Sequence, residues 1–395
     1  MRSVRHVALI YDARQLYDVK VMAGVAAYVR RVDTWSVYIE ENSLRDQRLP
    51  DLRNWRGDGI IADFDDPRVA AQVTASKIPS VGFGGGFGWY NPTSRIPYIF
   101  ANNHAIARLA AEHLLDRGFH NFAFCGYPAN NLNGWSQERG QGFAKRVVES
   151  GFACSTYLGR HRSTRDWEGF RASLTRWLTA LPKPVGLMAA DDKRARQVLE
   201  VCRLAGIQVP DEVAVIGVDN DEMLCQLSHP SLSSVESGAR RVGYEAAALL
   251  DRLMSGKRPR KQRPVVEPEG VVTRQSTDVL AVDDADVARA VAMIRGNAAA
   301  GITAQEVCDA LALSRSTVEL RFKRAMGRTL FAEIRRMQLQ RAESLVRERD
   351  LTLKQIAAQC GFGSVQHMTT LFAARFGRPP ASYRRQVSSR SVSRS

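Results

Sequence analysis

No stretch of this 395-residue chain is long and apolar enough to span a bilayer, which argues against a helical membrane protein. The opening Met1-Arg2-Ser3-Val4-Arg5-His6 leads into a strand-like segment and lacks the apolar core of a signal peptide, so a cytoplasmic protein is expected. Cysteine is sparse and scattered. Cys125, Cys154, Cys202, Cys225, Cys308 and Cys360 form no CxxC pair, a pattern that suits a reduced compartment and offers no zinc site. The seven histidines are too dispersed to suggest a metal centre, and no Ser-His-Asp or Cys-His arrangement has supporting context. Neither a metal nor a cofactor is expected. Gly82-Phe83-Gly84-Gly85-Gly86-Phe87-Gly88 lacks the following Lys-Ser/Thr of a phosphate cradle, so a flexible loop at a pocket mouth is the better expectation. In Asn91-Pro92-Thr93 the middle proline rules out a glycosylation acceptor.

Acid is short relative to base, with 41 Asp and Glu against 56 Lys and Arg and a net charge of +15. The excess is local. Residues 285–395 hold roughly 19 Lys and Arg against 8 Asp and Glu, so about +11 of the +15 sits there, as a phosphate binder requires. The same region carries a pattern that occurs twice, fifty positions apart: Ser314, Val318, Phe322 and Gly327 recur as Ser364, Met368, Phe372 and Gly377. In each set the i,i+4 pair shares one helix face, and the glycine falls where the helix must stop. A short apolar helix precedes each set, Val307–Leu311 and Ile356–Cys360, across the tight turns Ala312-Leu313-Ser314 and Gly361-Phe362-Gly363. Two helix-turn-helix motifs follow, about 304–325 and 353–375. A helical packing domain with no ligand would show similar spacing, but not the duplication together with the charge.

With Val318 and Phe322 turned inward, the outward candidates of the first motif are Arg315, Ser316, Thr317, Glu319, Arg321, Lys323 and Arg324. Arg315 suits guanine and Thr317 a thymine methyl, both at the helix N-terminus that reaches base edges. In the second motif the candidates are Ser364, Val365, Gln366, His367 and Thr370, with Gln366 shaped for adenine. Lys323, Arg324 and Arg375 suit phosphate, which positions without specifying. Each of these also suits a plain solvated surface.

Gly361-Phe362, Ser364, Phe372, Arg375-Phe376-Gly377, Pro380 and Tyr383-Arg384 together resemble the C-terminal signature of AraC/XylS-type transcription regulators. Leu339, Ala342, Leu345, Val346 and Ile356-Ala357 resemble the helix that joins the two motifs there. The chain departs from the pattern at Met368 (usually Phe), at Ala373-Ala374 (usually basic) and at Gln338 (commonly Arg). Losing the basic pair shifts the expected affinity toward the first motif.

The first 275 residues alternate short apolar runs with amphipathic helices. Val7–Tyr11, Ser36–Ile39, Gly59–Ala62, Pro79–Gly82, Phe122–Cys125, Val185–Met188 and Val213–Gly217 read as buried parallel strands of an α/β doubly wound fold. Such folds bind ligands beyond the C-terminal strand ends. Polar groups gather there: Tyr11-Asp12, Asp63-Phe64-Asp65-Asp66, Asp191-Asp192 and Asp219-Asn220-Asp221. Carboxylates accept from sugar hydroxyls, while Phe64, Trp89 or Trp135 offer a ring to the C–H side of a sugar. An N-cap role serves Asp12, Asp65 and Asp192 equally well.

Val215–Asn220, Pro230–Val235 and Gly243–Ala247 resemble the effector core of LacI-type repressors and periplasmic sugar-binding proteins. That resemblance implies two lobes around a ligand, with Arg139 (in Arg139-x-x-Gly142-Phe143) and Asp219 holding the sugar and Asp191 at another contact position. The order of domains, and the run from Leu9-Ile10 through Asp58–Asp66 to Arg274–Asp278, is similar to bacterial activators of sugar-catabolic operons. This implies D-xylose as effector, genes for its uptake and catabolism as targets, RNA polymerase as partner and a homodimer as the acting form.

The expected architecture is thus a two-lobed periplasmic-binding-protein-like α/β domain (1–275), a linker (276–284), an all-α domain with two tandem motifs (285–385) and a disordered Ser/Arg-rich tail (386–395). The expected sugar contacts are Asp63, Arg139, Asp191, Asp219 and Asn220, with Tyr11, Phe64 and Trp135 as further candidates. A sugar-modifying enzyme is the rival if Asp63 and Asp219 meet as acid and base, and a repressor is a third reading.

Overall fold

A computed structural model of the protein describes residues 4–40, 52, 55–84, 96–129, 133–159, 167–257, 263–279, 284–347 and 351–384. Two compact units divide the chain, Met1–Val279 and Leu280–Ser395.

The first unit begins β1 (Arg5–Ile10), α1 (Leu16–Val32), β2 (Trp35–Glu40), β3 (Gly59–Asp63), α2 (Pro67–Ser76), β4 (Ser80–Gly84) and β5 (Tyr98–Ala101). Next come α3 (Asn103–Leu115), β6 (Asn121–Cys125), α4 (Gly134–Glu149), β7 (Cys154–Tyr157), α5 (Trp167–Ala180), β8 (Val185–Ala189) and α6 (Asp192–Ala205). It ends with β9 (Val213–Val218), α7 (Glu222–Leu227), β10 (Ser233–Glu236), α8 (Ala239–Met254), β11 (Val265–Val266) and β12 (Gly270–Val272). Two six-stranded sheets result, ordered β11-β5-β4-β3-β1-β2 and β12-β10-β9-β8-β6-β7. The lobes repeat one topology: β2-β1-β3-β4-β5 in the first matches β7-β6-β8-β9-β10 in the second. Every pairing is parallel except that of β12 with β10. Parallel sheets need both faces covered, which is why β3, β8 and β9 are buried at every residue and lack polar alternation.

Three chain crossings join the lobes, between β5 and α3, between β10 and α8, and between β11 and β12. They lie side by side. Asn102 N donates to Val266 O at 2.8 Å, Asn102 Nδ2 to Glu267 Oε1 at 3.0 Å, and Glu269 N to Glu236 O at 2.8 Å. After its crossing α8 returns to the first lobe and packs beside α1. The pair touches backbone to backbone: a Cβ on Gly24 would run into Arg240 O, and one on Gly243 into Val21 O. Glycine is obligatory at both positions for that approach.

β10 and its surroundings show why some strands escaped the sequence reading. Its serines are polar yet fully buried, because each is satisfied. Ser233 exchanges bonds with the Arg274 backbone (2.7 and 2.9 Å), and Ser234 Oγ donates to Asp192 at 2.6 Å. β5, β7 and β12 are only three or four residues long and lack a clean period. The expected linker start at Ser276 also moves. Gln275–Thr277 forms a 3-10 turn, and Ser276 and Thr277 are buried on the first unit, Ser276 Oγ reaching Val215 O at 2.6 Å. Residues 280–283 and the expected tail lie outside the described residues, as do Gly85–Gly88 and Trp89; Gly82 and Gly84 belong to β4.

The second unit holds α9 (Ala285–Asn297), α10 (Ala304–Leu311), α11 (Arg315–Met326), α12 (Leu330–Arg347), α13 (Leu353–Gln359) and α14 (Val365–Phe376). The fifty-residue repeat is a repeat of caps. Thr303 with Glu306 and Thr352 with Gln355 make two capping boxes, Ser314 and Ser364 cap α11 and α14, and Gly327 (φ 66°) and Gly377 (φ 73°) end them. Val318 and Phe322 enter one apolar core with α9 and α10, while Met368 and Phe372 enter a second with α13. Helix α12 supplies Leu330 and Ile334 to the first core and Leu339, Ala342 and Val346 to the second.

Candidate functional site

At the C-terminal ends of β1, β3, β8 and β9 the two lobes face each other across a cleft. Asp63, Trp135, Arg139, Asp191 and Asp219, all expected contacts, line it. Arg139, carried on α4, is only 2% exposed and is fixed by Asn103 Oδ1 (3.0 Å, from Nε) and Ala190 O (2.6 Å, from Nη1). The guanidinium lies 4.8 Å from the Trp135 ring, and its Nη2 stands 3.6 Å from Asp219 Oδ1. That carboxylate oxygen is buried yet accepts no hydrogen bond among the described residues. A buried acceptor costs about 1–3 kcal/mol when unsatisfied, so Asp219 is set to receive a donor from a ligand.

The other expected contacts divide. Asp191 lines the cleft, but its carboxylate caps α6 through Arg194 N (2.7 Å) and accepts from Tyr127 Oη (3.0 Å). Burial raises its pKa, and those two bonds hold it back. The capping residues are thus Asp191 and Asp66, neighbours of the expected Asp192 and Asp65, while Gln15 rather than Asp12 precedes α1. Asp192 is an internal strut that accepts from Asp221 N (2.7 Å) and Ser234 Oγ. Three expected contacts lie outside the cleft lining. Phe64 is core, stacked on Tyr98 and filling the space beside Gly82. Asn220 turns its amide to Glu236 and Arg274. Tyr11 is half-buried and is not among the lining residues.

Sequence reasoning missed the first turn of α1, which brings Gln15, Leu16, Tyr17 and Asp18 into the wall. An aspartate at a helix start reads as an ordinary macrodipole partner, so nothing set Asp18 apart. Burial pushes Asp18 and Asp63 well above the ordinary carboxylate range, and repulsion from Asp65 adds to both. The charge of Asp18 adds to the rise at Asp63. Lys193 was missed as well; from α6 it reaches across the cleft to Arg14 O (2.5 Å) and Gln15 Oε1 (3.3 Å).

In the second unit Arg315, Ser316, Thr317, Lys323 and Arg324 are exposed on α11, as are Gln366, His367, Thr370 and Arg375 on α14. Ser314 Oγ, as the cap, is within bonding range of the Ser316 and Thr317 hydroxyls. Arg321 is a correction. It grips Asp284 with two nitrogens at 2.6 Å and Asp286 at 3.0 Å, tying α11 to the start of α9 instead of facing outward. Ser364 is likewise engaged as a cap, and Val365 is half-buried against the second core. Gln338, where a basic residue was the commoner expectation, is buried and donates to Ala298 O (3.4 Å) and Gly361 O (3.0 Å). It spans from the first motif's half of the unit to the turn of the second.

The sequence matches three family profiles in succession: the XylR N-terminal domain over residues 6–104, the periplasmic binding protein-like domain over 111–277, and a helix-turn-helix domain over 307–386. It is 36% identical to the xylose operon regulatory protein of Escherichia coli strain K12 over 386 residues, covering 97% of this chain and 98% of that one. The chain belongs to the family of xylose operon regulatory proteins. A Haemophilus influenzae member is 33% identical over 379 residues, with 96% of this chain and 97% of that one covered. A solved structure of a xylose-binding transcription activator superposes with a TM-score of 0.64 at 35% identity, covering 97% and 98% of the two chains. Family membership makes this chain a sugar-responsive, DNA-binding transcription regulator with a periplasmic-binding-protein-like domain ahead of its helical one. The sugar-modifying enzyme reading falls, since the relatives are regulators. Among the described residues no helix is long and apolar enough to cross a membrane.

Proposed function

We propose that this chain is a D-xylose-dependent activator that works in the cytoplasm as a homodimer, recruiting RNA polymerase to genes of xylose uptake and catabolism. The observation that carries the ligand half is the unfilled acceptor of Asp219 beside Arg139, in a cleft walled by Asp63 and by the Trp135 ring. Aligned carboxylate, guanidinium and indole suit a polyhydroxylated ring with one C–H face. The names of the relatives favour xylose among such rings. On the DNA side, Arg315, Ser316 and Thr317 lie at the exposed start of α11, and Gln366 and His367 at that of α14, where base edges come within reach. Lys323, Arg324 and Arg375 supply phosphate contacts.

Calorimetry of the full chain against a panel of pentoses and hexoses tests the ligand. D-xylose is expected to bind most tightly, with Asp219→Ala abolishing measurable heat. Preference for a hexose, or wild-type affinity in Asp219→Ala, would overturn the reading.

A further inference from the structure

At the end of β9 the chain turns through two non-glycine residues with positive φ, Asp219 (93°) and Asn220 (48°). L-residues avoid this region, so the turn persists only because its surroundings hold it. From the first lobe, Lys20 of α1 sends its ammonium to Asp219 O, to Asn220 O (3.1 Å) and to Glu236 Oε2 (2.9 Å). From the other side Arg274 donates Nη2 to Asn220 Oδ1 (2.9 Å) and Nη1 to Leu232 O (2.9 Å). The Asn220 amide closes the loop by donating to Glu236 (3.3 Å).

Arg274 stands just ahead of the unit boundary at Val279, on the segment by which the chain leaves the first unit. That segment is bolted to the second lobe. Ser276 Oγ bonds Val215 O, Thr277 Oγ1 bonds Ser233 Oγ (2.7 Å) and His113 Nε2 (2.8 Å), and Arg117 Nε holds Thr277 O at 2.6 Å. An unbroken run of hydrogen bonds therefore joins α1 of the first lobe, the turn that carries Asp219, and the exit segment.

We propose that Arg274 is a positioning residue for the Asp219–Asn220 turn, and that through this contact sugar occupancy is passed to the chain leading to the DNA-binding unit. The inference rests on Asp219 being a sugar contact. A ligand that fills the free acceptor of Asp219 fixes the turn, the turn fixes Arg274, and Arg274 fixes where the exit segment lies relative to Lys20 and the first lobe. Coupling of this kind needs one element with two arrangements that both sites bias. The turn, held from both lobes, is that element.

The test uses the full chain, with sugar affinity by calorimetry and operator affinity measured with and without D-xylose. Arg274→Met is expected to keep sugar affinity within roughly tenfold of wild type while losing the change in operator affinity that sugar causes. Asn220→Gly cuts the same contact from the other side, in a residue that tolerates the backbone conformation, and should behave alike even if Arg274→Met fails to fold. Arg274→Lys, which restores one donor, should recover part of the response. Variants that respond to sugar as wild type does overturn the inference alone, as does a hundredfold loss of sugar affinity in Asn220→Gly. A wild type that binds no sugar overturns the reading of the site, and the inference with it.

Discussion

Arg139 and Asp219 share the cleft but differ in what else depends on them. Arg139 satisfies Asn103 and Ala190 O, so Arg139→Ala should both abolish sugar binding and lower unfolding free energy by about 1–3 kcal/mol. Asp219 Oδ1 accepts no hydrogen bond among the described residues and stands 3.6 Å from the Arg139 guanidinium, so Asp219→Ala should remove binding with a smaller stability loss than Arg139→Ala. Urea denaturation alongside calorimetry separates the two, and equal stability losses would contradict this division. Asp18 and Asp63 give a pH prediction. Their raised pKa values mean that the folded state keeps protons the unfolded chain releases, so the contribution of this pair is full below the ordinary carboxylate value of about 4 and is lost as pH rises through the raised folded-state values. Asp18→Asn removes part of that decline, and melting of the sugar-free protein from about pH 5 to about pH 8 should show a flatter profile than wild type. Parallel profiles would refute it. The aspartates at strand ends were legible because a doubly wound sheet places ligands there. Asp18, Lys20 and Lys193 were not, since helix-borne charges look alike in sequence until the opposite lobe is present.

Among elements, α11 concentrates the contrasts. Arg315 is exposed at its start and makes no hydrogen bond or ion pair among the described residues, so Arg315→Ala should cost specific DNA binding about 1–3 kcal/mol, relax one base position and leave melting unchanged. Lys323→Ala should weaken all sequences alike and flatten the salt slope. Arg321→Ala should instead lower the melting temperature of the second unit, because it releases Asp284 at the cap of α9. A loss of base preference without a change in melting would return Arg321 to the DNA-facing set. The turn before α11 offers a further measurement. Ala312 occupies the left-handed conformation (φ 53°) that Gly361 takes in the second motif (φ 70°), so Ala312→Gly should stabilise the unit by about 0.5–1 kcal/mol in chemical denaturation. Motif positions could be read in advance since caps and core pairs repeat locally. Arg321 could not, because its partner lies on α9, beyond the reach of any helical period.

For the whole molecule, each unit has its own core, so the segment 285–395 should bind DNA with no response to sugar and more weakly than the sugar-bound full chain. In the proposed dimer, simultaneous engagement of four motifs gains effective concentration only when their spacing fits the operator. D-xylose should therefore tighten binding to a two-half-site operator while leaving a single half-site about unchanged, as gel-shift titrations would read. Equal strengthening on the single half-site would place the rearrangement within one subunit. The two-domain order was visible in sequence from charge and periodicity, while the assembly was not, because a dimer surface leaves no period to read. The three adjoining crossings between the lobes add a constraint on how the regulator counts sugar. Segments bonded side by side favour rotation about a common axis over independent sliding, so lobe closure in each subunit is expected to be a single hinge motion. Raising the sugar concentration is then expected to change how many subunits have swung over and not how far each has swung, so operator occupancy sums over molecules and not over degrees of closure.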